Sequence, residues 1–194
     1  HQHPWIIGQL QSRDQGEPHC MTPSELRRII LEGLLSDDRL LNELVLKGGN
    51  ALELVHGLIQ RGSIDLDFSI AGEFQDLDDI QARIFNALRS RLAQMDLVLF
   101  DESLSVVPPL RHDDTMPWWG GYRVQFKLIP TRLYRELGGD LARLRIQALP
   151  VDPFQGRIFT IDISKHEYCG QKVERALGGH RIFVYSEEMC VIEK

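Results

Sequence analysis

Several things are scarce in this chain, and each scarcity narrows the field. There are only three cysteines, Cys20, Cys169 and Cys190. Their number is odd and their spacing is not that of a zinc or iron–sulfur motif, so reduced thiols are expected rather than a disulfide framework or a cysteine metal site. No stretch approaches the roughly 20 apolar residues needed to cross a bilayer. No part of the N-terminal region has the layout of a secretory leader, so a cytoplasmic location and no membrane partner are expected. Positive charge is not in surplus: the formal net charge is −6. That argues against sequence-blind binding of nucleic acid over a broad basic face, while leaving room for a local basic groove. Internal repeats and low-complexity tracts are absent.

What is present fits one domain, with 194 residues and 43% hydrophobic content to build a core. Residues 1–20 are rich in Gln, Pro, Gly and His and read as an arm or connector; residues 21–194 read as the domain proper. Thr22-Pro23-Ser24-Glu25 has the form of a capping box with proline at the first helical position. A helix is predicted from there to about Leu35, with Leu26, Ile29, Ile30 and Leu34 inward, and a short one near 36–43, capped by Ser36 or Asp37. Residues 76–95 carry Ile80, Ile84, Leu88 and Leu92 in helical register. Strands are predicted over 97–107, 119–129, 157–164 and 181–185, and a helix interrupted at Gly138-Gly139 over 131–149. Ser186-Glu187-Glu188-Met189 opens a further helix expected to run on past Lys194. The class is α/β, a small mixed sheet flanked by helices.

Chemistry concentrates in the middle of the N-terminal half. Asp65-Leu66-Asp67-Phe68-Ser69-Ile70 alternates as a half-buried strand does, so Asp65 and Asp67 share a face with Leu66, Phe68 and Ile70 packed behind. Adjacent carboxylates repel unless a cation lies between them. A hard divalent ion, magnesium or manganese, is the natural ligand for such oxygens. Upstream, Val45-Leu46-Lys47 reads as a strand, Gly48-Gly49 as a tight turn, and Asn50 to Gln60 as a helix whose N-terminus suits a phosphate. Ser63 precedes the aspartates and could bond a phosphate or cap the turn. Asp162 lies in the apolar strand Ile161-Asp162-Ile163 with no evident partner.

Lys47-Gly48-Gly49-Asn50-Ala51-Leu52 followed by Arg61-Gly62-Ser63-Ile64-Asp65-Leu66-Asp67-Phe68-Ser69 resembles the AbiEii/AbiGii toxin family of nucleotidyltransferases, within the DNA polymerase beta-like superfamily. The chain departs from the family pattern at Asn50, where Thr or Ser is usual, and at Glu53, where Arg is frequent. The resemblance implies a nucleotidyltransferase fold and magnesium-dependent (or manganese-dependent) transfer of a nucleoside monophosphate from an NTP to an acceptor hydroxyl. It assigns the metal to Asp65, Asp67 and Asp162, all on one face of the sheet. Lys47, Gly48, Gly49, Asn50 and Ser63 would hold the nucleotide, and Lys194 would match a catalytic lysine of the next helix. It further implies RNA or tRNA as acceptor, an antitoxin partner and a role in phage defence. The family continues beyond this point with an Arg/Lys-x-x-Asp-x-x-Asp element on a C-terminal helical region, not found in these residues. Two alternatives stay open: a nucleotide-binding regulator without transfer activity, and a nucleotidyltransferase acting on a protein or a small molecule such as an antibiotic. Lys127 and Lys165 are weighed as triphosphate contacts against ordinary surface lysines, the Arg132, Arg135, Arg143 and Arg145 run is read as a solvated face, and Trp118-Trp119 is expected to pack in the core rather than stack on a base.

Overall fold

The computed structural model describes residues 21–47, 65–109, 119–151, 156–186 and 188–189. Gly48, Gly49, Asn50, Ser63 and Lys194 lie outside the described residues, as do the N-terminal arm and the helix expected over 50–60.

Helix α1 (Pro23–Leu35) begins as the sequence dictates: the Thr22 side chain accepts from the Glu25 backbone N–H, and the Glu25 carboxylate accepts from that of Thr22. Asp37 caps α2 (Asp38–Glu43), and β1 (Val45–Leu46) follows. Next come β2 (Leu66–Ser69) and α3 (Leu77–Ala93), the latter capped by Asp76. Strands β3 (Leu97–Val107) and β4 (Gly121–Pro130) form a hairpin, pairing antiparallel. The helix expected over 131–149 is two helices, α4 (Thr131–Glu136) and α5 (Leu141–Gln147). Gly138 and Gly139 both adopt positive φ, and Asp140 caps a new helix, so the glycine pair ends one helix rather than kinking it. Strand β5 (Phe159–Ser164) is followed by a hairpin of β6 (Val173–Leu177) and β7 (His180–Val184). β6 is an addition to the expected strands; Gly178-Gly179, both at positive φ, make its turn.

The seven strands among the described residues form one sheet in the order β3-β4-β5-β2-β1-β7-β6. The sheet is mixed: β2 runs parallel to β5 and β1 parallel to β7, and the other pairings are antiparallel. One face is apolar. Leu66 and Phe68 of β2, Val124 and Phe126 of β4, and Phe159 and Ile161 of β5 are buried in a core shared with Leu26 and Ile30 of α1 and Ile84 and Leu88 of α3. Burying each such side chain contributes about 1.5–3 kcal/mol. Phe126 and Phe159, register partners, stack at 5.1 Å. Helices α1 and α3 approach closely at Gly33, where a Cβ would lie 3.2 Å from that of Arg91.

Among the described residues, the other face is covered at one end. There α4 and α5 bury Leu137, Leu144 and Ala148 against Phe100 and Ile129. A register shift between Phe100 and Ser103 brings Asp101 to φ 55°, where Lys127 and Arg145 both ion-pair with it. These cations hold the Asp101 carboxyl well below the usual carboxylate range, the Arg145 hydrogen bond contributing most. At the far end of β4 the described residues leave a cleft on this face.

Candidate active site

Strand alternation sends Asp67, Asp162 and Arg123 to the open face while their neighbours enter the core. Register then lines them up. Asp67 of β2 pairs with Asp162 of β5, and Asp162 pairs with Arg123 of β4. On the other side, the Lys47 backbone N–H donates to the Asp67 carbonyl at 2.9 Å, extending the β1–β2 ladder by one residue. Four adjacent strands thus carry a transverse row reading Lys47, Asp67, Asp162, Arg123. Neighbouring strands lie about 4.8 Å apart, so the two carboxylates are next to each other with a cation on each flank.

The contacts along the row are specific. Arg123 donates from Nε to Asp162 Oδ1 at 2.7 Å and from Nη2 to Oδ2 at 3.0 Å, a two-pronged pairing that uses both carboxylate oxygens. That hydrogen bond, with the Asp162 charge and to a lesser extent that of Asp65, raises the Arg123 pKa above the ordinary guanidinium value. Lys47 Nζ donates to Ser164 Oγ at 3.0 Å and lies 3.9 Å from Glu167 Oε1. Asp65 is exposed at the head of β2, and its Oδ1 accepts the Thr160 backbone N–H at 3.2 Å.

The row floors a cleft of about 540 Å³. Gly120 and Gly121 line it beside Val107 and Pro108. Both glycines are required: a Cβ on Gly120 (φ 112°) would lie 2.5 Å from the Val107 carbonyl oxygen, and one on Gly121 2.0 Å from that of Ile163. Lys165, His166 and Glu167, from the turn after β5, form another wall. Lys165 Nζ is 3.4 Å from Glu73 Oε2 and His166 Nε2 is 3.7 Å from the same oxygen. Trp119 stands at the rim with 63% of its surface exposed. This corrects the expectation of core packing for Trp119: the strand begins at Gly121, two residues later than expected, so the indole precedes the sheet. Trp118 lies outside the described residues.

Of the expected site residues, Lys47, Asp67 and Asp162 come together in the cleft. Asp162 is not an edge-strand residue, because β5 lies between β4 and β2. Asp65 shares the Asp67 face by alternation but stands one step out, on the Thr160 amide. Among the described residues, no three His, Cys, Asp or Glu side chains are gathered closely enough to hold a metal ion. One member of the expected trio, Asp162, is ion-paired to Arg123, which no motif singles out and which only the β4–β5 register brings to it. Lys127 pairs with Asp101 under α5, away from the cleft, and is not a triphosphate contact. In the arginine run, Arg132 pairs with Glu136 on its own helix and Arg145 with Asp101.

A mixed sheet flanked by helices, with paired aspartates on adjacent strands of its open face, defines an α/β protein of the nucleotidyltransferase kind. The model of one family, the nucleotidyl transferase AbiEii toxins of type IV toxin–antitoxin systems, matches residues 29–194, and the chain belongs to that family. A search of curated proteins gave no match. No helix among the described residues is long and apolar enough to cross a membrane.

Proposed function

We propose that this protein transfers a nucleoside monophosphate from an NTP to an acceptor hydroxyl, releasing pyrophosphate. The observation that carries this reading is the register pairing of Asp67 with Asp162 at the base of an open cleft flanked by Lys47 and Arg123. The donor set suits magnesium or manganese: hard carboxylate oxygens on adjacent strands, with Asp65 beside them. Such an ion, when bound, supplies neutralisation of phosphate charge and activation of the acceptor hydroxyl. Asp67 and Asp162 would hold it, and Asp162 would accept the proton of the incoming hydroxyl. Lys47, Arg123 and Lys165 supply positive charge for the triphosphate. Gly48, Gly49, Asn50, Ser63 and Lys194 complete the nucleotide site on the strength of family resemblance.

The acceptor we favour is RNA, with tRNA one form of it. The overall charge of −6 gives no broad basic face, so recognition would be local. Trp119 at the rim offers a flat surface on which an unpaired base can stack, as single-stranded nucleic acids use aromatic side chains. The family's toxin–antitoxin setting makes an antitoxin protein the expected partner, and phage defence is the context we assign to the activity.

One observation favours a second reading, a nucleotide-binding regulator without transfer activity. Arg123 already engages both oxygens of Asp162. Incubation with each radiolabelled NTP, magnesium, and total RNA, protein or aminoglycosides separates these readings. Label in RNA supports the proposal. Label in protein or drug changes the acceptor. Nucleotide binding with no label in any acceptor favours the regulator.

A further inference from the structure

We propose that Arg123 is the resident counter-ion of Asp162, holding that carboxylate when no divalent cation is bound and surrendering it when one enters. This inference rests on the metal-dependent reading above and adds a positioning residue to it.

The geometry sets up the competition. The guanidinium of Arg123 lies along both Asp162 oxygens, at 2.7 and 3.0 Å. A planar fork placed this way covers the inner lone pairs of both oxygens. Asp162 keeps only the outer lone pair of each oxygen for a cation shared with Asp67 while Arg123 holds both bonds, so its grip on that cation is weakened. Yet Asp67 is the register neighbour of Asp162 on the side away from Arg123, so releasing Asp162 from the guanidinium lets both carboxylates turn toward one cation.

The lock is weak enough to open. The Arg123 and Asp162 side chains are 42% and 40% exposed, and half-exposed ion pairs contribute little net stability. A displaced Arg123 stays in the cleft, where its fork suits a phosphate as well as it suits a carboxylate. Cation entry would thus release positive charge toward the triphosphate in the same movement.

Binding of Mn²⁺ to the full chain without nucleotide, followed by the electron paramagnetic resonance of free Mn²⁺, tests this apart from activity. Arg123→Lys keeps the charge but cannot span both oxygens. It is expected to bind Mn²⁺ about two- to fivefold tighter than wild type, the range a half-exposed ion pair allows. Arg123→Gln should gain at least as much. Equal affinity for wild type and Arg123→Lys, with only Arg123→Gln tighter, overturns the proposal by reducing Arg123 to a nearby charge. No Mn²⁺ binding by any of the three overturns the metal reading together with this one. A second measurement guards against misfolded variants. In wild type, the Arg123 Nε–H resonance should move as Mg²⁺ saturates the site; a resonance that stays put through saturation overturns the proposal.

Discussion

Asp67 and Asp162 are direct neighbours across a parallel strand pair, although one belongs to β2 and the other to β5, with the β3–β4 hairpin and three described helices between them in the chain. Their carboxylates share the open face of the sheet, so neither can be altered without changing the electrostatics of the other.

Asp67→Asn and Asp162→Asn should each lower nucleotide transfer by on the order of 10³ or more, the scale of losing a group that stabilises transition-state charge. Both side chains are only partly buried, so melting temperatures should stay close to wild type. Labelled-NTP transfer and thermal melts of the same samples check this. Near wild-type turnover in either variant would remove that aspartate from the catalytic assignment.

Trp119→Ala should leave stability unchanged, because the indole is 63% exposed. It should raise the KM for the nucleotide or the RNA acceptor about tenfold, since stacking on an aromatic is worth roughly 1–3 kcal/mol per base. Trp119→Phe should recover most of the loss. If KM for both substrates is unmoved by the alanine change, the rim has no stacking role.

Gly121→Ala should be strongly destabilising, by about 3 kcal/mol or more, because the new methyl meets the Ile163 backbone carbonyl oxygen at 2.0 Å and β4 must move away from β5. Gly139→Ala is the control. Its φ of 82° is strained for alanine, but nothing lies within 4 Å, so a loss of about 1–2 kcal/mol is expected. Urea denaturation of the pair gives the comparison, and similar losses would contradict the packing argument.

Asp101 provides the pH dependence. Its folded pKa lies below its unfolded value of about 3.9, so its pairing stabilises the fold above that pH. The contribution is lost as pH falls from about 4 toward the depressed folded value. Asp101→Asn should therefore lower stability at pH 7, and the gap to wild type should narrow as the pH drops below 4. A gap that is constant between pH 7 and pH 2.5 would show that the Lys127 and Arg145 pairings add nothing.

Much of this architecture could be read from local pattern. The Thr22 and Glu25 box, the four-residue spacing from Ile80 to Leu92 and the alternation around Asp67 each depend on residues a few positions apart. Arg123 could not be read that way, because it looks like any polar residue on an alternating strand until β4 is set against β5. Trp119 failed for a related reason: hydrophobicity predicts burial, but the indole lies just before the first paired residue, where no described element covers it. β6 has one strong signal, the Gly178-Gly179 turn. Its Val-Glu-Arg-Ala-Leu sequence is weakly patterned because, as the last strand of the sheet, it has little core to face.

The parallel junction of β2 with β5 also orders events during synthesis. β2 is made early, but its partner on that side is among the last strands to emerge from the ribosome. Contacts between segments so distant in sequence form late, after the intervening loop entropy has been overcome. A nascent chain that has completed β4 contains Lys47, Asp67 and Arg123, yet has no strand to join their halves of the sheet. The charge row can exist only once residues 159–164 have emerged and docked, so incomplete chains would be chemically silent.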